Sequence, residues 1–135
     1  YGGEMSAHHY FRDFAFCDSG MIPLLLIWEL VSNSQTSLKK IIDFRRRDFI
    51  SSGELNFEVN DPDACFIAAK TRYNKEALSI DEIDGISLSF QNWRFNLRKS
   101  NTEALIRINI EAIKDRLLLN KKIDELTEFM KGFKH

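Results

Sequence analysis

The feature that most constrains this chain is a change of hydrophobic period between about Phe44 and Gly53. Upstream, apolar residues form a nearly continuous run over 21–31 and then recur at Leu38, Ile41 and Ile42, which is helical spacing. Downstream, Glu54-Leu55-Asn56-Phe57-Glu58-Val59 alternates polar and apolar without a break. A period of two is a strand with one buried face, and no single element serves both periods. We therefore expect a domain boundary here, with residues 1–47 in one domain and 48–135 in another.

The first residues start abruptly at Tyr1-Gly2-Gly3 with no preceding strand, as expected of a cut through a larger protein. Aromatics alternate loosely with Arg12 and Asp13 over 10–16, and Asp18-Ser19-Gly20 reads as a helix start, with Pro23 in the first turn where its missing N–H costs little. A polar break over 32–37 separates this helix from a second, which ends near Arg45-Arg46-Arg47, a solvated linker face. Beyond the strand at 54–59, Asn60-Asp61-Pro62 opens a helix carrying Ala64, Ile67, Ala68 and Thr71 at helical spacing. A second strand is expected over 77–81, then the hairpin signal Asp84-Gly85, then Ile86, Leu88 and Phe90 alternating with serines. Trp93-Arg94-Phe95-Asn96-Leu97-Arg98 alternates again, placing Arg94, Asn96 and Arg98 on the solvent side. The last strand covers 105–111 and a helix follows over 114–130, its stripe formed by Leu119, Ile123, Leu126, Met130 and Phe133. Condensed, the order after residue 53 is β-α-β-β-β-α, an α+β domain whose compact solution is an antiparallel sheet with two helices on one face.

Composition excludes several roles. With 19 Lys and Arg against 20 Asp and Glu in 135 residues, the chain lacks the basic excess of a nucleic-acid binder. The 21–31 run is interrupted by Pro23 and Glu29 and falls short of the roughly 20 residues of a membrane span. It is not a secretory signal either. Cys17 and Cys65 are too far apart for a CxxC site and read as buried, inert thiols in a reducing, cytoplasmic setting. Trp28, Trp93 and most of the 11 Phe residues are expected in the core.

Two polar segments stand out. Gly2-Gly3-Glu4-Met5-Ser6-Ala7-His8 sets a carboxylate, a hydroxyl and an imidazole within a flexible entry, which suits a polyol whose hydroxyls both donate and accept. By itself it reads as a surface turn before it reads as a site. Arg98-Lys99-Ser100-Asn101-Thr102 gathers a guanidinium, an ammonium, two hydroxyls and an amide between two strands with free backbone N–H groups. That set suits a phosphate, although a polar turn explains it too.

Taken together, the segments resemble one family. Gly3-Glu4-Met5-Ser6-Ala7-His8 resembles the sugar-binding loop of the α-D-phosphohexomutases, and Arg98-Lys99-Ser100-Asn101-Thr102-Glu103 their phosphate-binding loop. Asp18-Ser19-Gly20-Met21-Ile22-Pro23 and Gly53-Glu54-Leu55-Asn56-Phe57 resemble the connecting segments in the same order. Met5 is similar to the bacterial phosphomannomutase/phosphoglucomutase group. Ala7 stands where the family has Gly, and Ala104 where it has Pro.

The resemblance implies a fragment: the helical end of an α/β third domain followed by a whole fourth domain of TATA-box-binding-protein-like type. It implies a parent isomerase, an intramolecular phosphotransferase of carbohydrate metabolism, moving phosphate between O1 and O6 of mannose or glucose. Its phosphoserine lies in the first domain and its Mg²⁺ ligands in the second, so this fragment has no metal residues of its own and is expected to be inactive alone. Glucose 1,6-bisphosphate or mannose 1,6-bisphosphate serves as intermediate and activator. Glu4 and Ser6 are assigned to O3 and O4 of the sugar, Arg98, Ser100, Asn101 and Thr102 to the non-reacting phosphate, and His8 to binding or proton transfer. The partners implied are hexose phosphates, with no nucleic acid or membrane. The apolar run at 21–31, cut from its native sheet, is expected to self-associate or repack. A stand-alone sugar-phosphate-binding or interaction module without catalysis is the alternative reading.

Overall fold

A glycine pair followed by alternating aromatics builds three very short strands at the start of the chain. The computed structural model describes every residue except Met5, Ser6, Asn101, Thr102, Ala104 and His135, and the chain divides into two units, Tyr1–Phe44 and Arg45–His135. In the first unit β1 (Gly2–Gly3), β2 (His9–Phe11) and β3 (Cys17–Asp18) form an antiparallel sheet in that order. Helix α1 (Met21–Ser34) follows, then α2 (Leu38–Asp48), which begins in the first unit and ends in the second, its last turn holding the exposed Arg45, Arg46 and Arg47 where cations suit the helix dipole.

Several expectations for this unit need correction. Helix α1 continues through the polar stretch to Ser34 and stops only where Gln35 turns left-handed at φ 50°. Its first turn is capped by Ser19, whose Oγ accepts from the Ile22 N–H at 3.2 Å, which leaves Asp18 for another task. Leu25 and Trp28 are 59% and 69% exposed, so Trp28 is not a core residue. Cys17 is exposed, because β3 is a two-residue edge strand, whereas Cys65 is buried as expected.

The second unit is α+β. Its elements are β4 (Phe49–Glu58), α3 (Pro62–Tyr73), β5 (Ser79–Asp81), β6 (Ile86–Ser89), β7 (Trp93–Lys99), β8 (Leu105–Ile113) and α4 (Arg116–Lys131). That is one strand more than the condensed order, because the segments at 77–81, 86–90, 93–98 and 105–111 each pair as separate strands. The sheet order is β4-β8-β7-β6-β5, antiparallel throughout. Ile86, Leu88, Phe95, Leu97, Ile106, Ile108 and Ile110 are at most 2% exposed on one face. Burying each such side chain contributes about 1.5–3 kcal/mol. Helices α3 and α4 supply Cys65, Ala69, Tyr73, Leu119, Leu126 and Met130 to the same core. The stripe on α3 is therefore Cys65-Ala69-Tyr73 and not the expected one, and Ile67 is 68% exposed. Cys65 Sγ lies 3.7 Å from Met130 Sδ, and burial pushes its thiol up to about 11, which makes it inert.

Strand β4 contains one irregularity. Ser51 pairs with Glu111 but Glu54 pairs with Asn109, so the register shifts between them, at Gly53 with φ +71°. An unshifted ladder would set Glu54 opposite Ile108, on the core face. The bulge keeps both Ile50 and Leu55 inward and turns Glu54 onto the polar face. Ser52 Oγ accepts from the Ile110 N–H at 3.0 Å, replacing a ladder bond the bulge removes.

Candidate functional site

The two polar segments lie in different units, and each forms its own cluster. Between β1 and β2 the chain closes a turn in which the Glu4 N–H donates to the His8 carbonyl and the Ala7 N–H to the Glu4 carbonyl, both at 3.0 Å. Ala7 sits at φ +64°, a left-handed conformation natural to glycine, the residue the resemblance implies at this position.

Strand pairing brings Asp18 of β3 beside β2. Its Oδ1 accepts from the His9 N–H at 2.9 Å and its Oδ2 lies 2.6 Å from His8 Nδ1. A carboxylate only accepts, so Nδ1 carries a proton, and in the neutral imidazole Nε2 is then the acceptor. The hydrogen bond and charge of Asp18 raise the His8 pKa above its ordinary 6.5, and His8 in turn lowers that of Asp18. Glu4 accepts at Oε1 from the Tyr10 hydroxyl at 2.8 Å, and that bond raises the Tyr10 pKa.

This arrangement is directly checkable. In an NMR titration the His8 imidazole should show a midpoint above 6.5, and Asp18→Asn should bring it back toward that value. The sign follows from linkage: a raised histidine pKa contributes stability below the unfolded value, and the contribution is lost as pH rises through the folded one. An unchanged midpoint in Asp18→Asn would show that the two side chains are not coupled in solution.

In the second unit the two cations at the end of β7 are directed apart. Arg98 and Lys99 are neighbours on a strand and so point to opposite faces. Lys99 Nζ pairs with Asp63 and lies 5.7 Å above the Phe66 ring, both on α3. Arg98 lies on the open polar face, where Nη2 donates to Glu54 Oε2 at 2.9 Å, and its side chain is only 23% exposed. Its solvent-side placement is thus a half-buried one. The Ser100 N–H is not free either, since it donates to the Leu105 carbonyl at 2.9 Å and closes the loop. Ser6, Asn101 and Thr102 lie outside the described residues.

Other groups on the polar face are paired in part, while Asn109 Oδ1 is buried without a hydrogen-bond partner among the described residues. Arg94 Nε donates to Glu111 Oε2 at 2.7 Å, and Asn96 Nδ2 to Ser87 Oγ at 3.0 Å. Sequence reasoning missed Asp18, Tyr10, Glu54 and Arg107 as members of these clusters. Alternation alone put Arg107 on a face opposite Ile106 and Ile108, but its partner depends on a register that no local pattern states.

Comparison with known proteins relates both units to one family. Residues 1–47 match the family model described as phosphoglucomutase/phosphomannomutase, alpha/beta/alpha domain III, and residues 54–128 match the model of the C-terminal domain of the same family. A Xanthomonas campestris protein named "Phosphohexose mutases" is 50% identical over 132 residues, covering 98% of this chain and 30% of that protein. A Vibrio cholerae phosphomannomutase is 52% identical over 132 residues, covering 97% of this chain and 28% of the relative. An Escherichia coli phosphomannomutase is 47% identical over 131 residues, with 97% and 29% covered. The chain belongs to the phosphoglucomutase/phosphomannomutase family, and it spans somewhat under a third of the length of these relatives.

Proposed function

We propose that the chain is the C-terminal part of a phosphohexomutase, the end of its third domain and its whole fourth, and that it binds the sugar and the phosphate not undergoing reaction. The observation that supports this most is the order of matches: a domain III model over the carboxylate–imidazole turn, then a C-terminal-domain model over the arginine-bearing sheet. The parent, in this reading, interconverts hexose 1-phosphate and hexose 6-phosphate of mannose or glucose through a bisphosphate.

The residues divide the work. Glu4, steadied by Tyr10, and Ser6 receive the sugar O3 and O4 hydroxyls, which lie near the axis about which the bisphosphate turns between half-reactions. Contacts confined to those groups accept either orientation and do not read the C2 configuration. Arg98, Ser100, Asn101 and Thr102 hold the idle phosphate at whichever end it sits. His8, with its proton fixed on Nδ1 by Asp18, presents Nε2 as an acceptor for a hydroxyl proton. Because phosphoryl transfer depends on positioning and electrostatics, these contacts contribute to turnover and not to affinity alone.

Mg²⁺ belongs elsewhere in this reading. Among the described residues no three His, Cys, Asp or Glu side chains converge as ligands. Among the described residues no helix is long and apolar enough to cross a membrane.

The test is an assay of the full-length protein with mannose 1-phosphate and glucose 1-phosphate, each with Mg²⁺ and catalytic glucose 1,6-bisphosphate. Formation of the 6-phosphates is expected from the full-length protein and none from residues 1–135 alone. Failure with both sugars would refute the assignment.

A further inference from the structure

The polar face of the second unit contains a conflict that the sheet register makes unavoidable. Arg98 on β7 stands directly opposite Arg107 on β8, two like charges on neighbouring strands. Both are mostly shielded, with side chains 23% and 32% exposed, and both Nε atoms are buried without a hydrogen-bond partner among the described residues. Glu54 lies across them: Oε2 accepts from Arg98 Nη2 at 2.9 Å while Oε1 stands 3.8 Å from Arg107 Nε. The carboxylate reaches this place only because of the bulge at Gly53, since an unshifted β4 would turn it toward the core.

We infer that Glu54 is a positioning residue for anion recognition, holding the Arg98 guanidinium in one orientation and separating it from Arg107 so that its remaining donors face the ligand. The inference rests on the reading of Arg98 as a phosphate-binding residue. A guanidinium on a long side chain recognises phosphate through a planar fork, and the fork contributes most when its orientation is fixed beforehand. Here one edge is occupied by Glu54 and the cations Arg98 and Arg107 outnumber it, so the cluster keeps a net positive charge.

The sign of one substitution separates this role from simple charge balance. Deleting an acid beside an anion site should tighten anion binding by Coulomb's law, whereas loss of positioning should weaken it. We expect Glu54→Gln, which preserves shape, to weaken mannose 1-phosphate binding to the full-length protein by about tenfold, the scale of one charge-assisted contact. The measurement is calorimetric titration at fixed ionic strength without added Mg²⁺. Glu54→Asp, which keeps the charge but shortens the reach, should also weaken it. In the double variant Arg98→Ala/Glu54→Gln the affinity should match Arg98→Ala alone within about twofold, because the two act as one unit. Tighter or unchanged binding in Glu54→Gln, with Arg98→Ala weakened, overturns the positioning role and leaves the phosphate site standing. Fully multiplicative losses in the double variant overturn it as well, since they indicate independent effects. No effect of Arg98→Ala on its own overturns both the role of Glu54 and the site on which it depends.

Discussion

Arg98→Ala in the full-length protein should lower kcat/KM for hexose 1-phosphates by at least about tenfold, the scale of one lost charge-assisted contact in a shielded setting. Steady-state kinetics showing less than a twofold change would refute the assignment. The expectation rests on geometry as well as charge. Arg98 is held at 2.9 Å by Glu54, so its fork is oriented before a ligand arrives. Lys99→Ala is the matched control. It also removes one cation, but Lys99 faces α3, paired with Asp63, so activity should stay within about twofold. If the two variants lose activity equally, net charge in the loop and not the placement of Arg98 governs binding.

What the sequence disclosed, and what it withheld, follows from how local each signal is. Alternation over 54–59, 86–90, 93–98 and 105–111 marks strands because a period of two is a property of the strand itself. The core of α4 was legible for the same reason: Leu119, Leu126 and Met130 recur at helical spacing and are buried. The stripe of α3 was not, because that helix carries apolar residues on more than one side and only the sheet decides which is covered. Cys65, Ala69 and Tyr73 won over Ile67 through contacts from strands distant in sequence. Trp28 shows the complementary limit. Aromatic character marks a surface that gains from cover but does not state what covers it.

The site divides along the same line. Glu4, His8 and Arg98 stand out in the sequence by their side-chain chemistry. Their partners do not, since Asp18 reaches His8 through the pairing of β2 with β3, and Glu54 reaches Arg98 through a bulge. Asp18-Ser19-Gly20 before an apolar run signals a helix start without saying which of the three side chains caps it. Ser19 took that role, and the carboxylate was free to orient an imidazole instead.

Gly85→Ala should destabilise the second unit by about 3 kcal/mol, combining a left-handed backbone penalty of about 1–2 kcal/mol with an overpacking cost of similar size. Gly85 has φ +73° in the turn between β5 and β6. A Cβ added there would lie 2.1 Å from the Leu97 carbonyl oxygen and 2.8 Å from the Arg98 Cα. Those are backbone atoms, which cannot swing aside as a side chain would, so either the turn or β7 must shift. Since β7 is fixed on both sides by β6 and β8, relief comes from lifting the turn or displacing the strand beneath Arg98. The substitution therefore tests fold and site together. Amide hydrogen exchange across 86–99 should rise in Gly85→Ala, and affinity for mannose 1-phosphate should fall although no ligand-binding side chain has been changed. Exchange rates and affinity both equal to those of the unsubstituted protein would show that the turn absorbs the methyl group, and that Arg98 is positioned independently of the hairpin behind it.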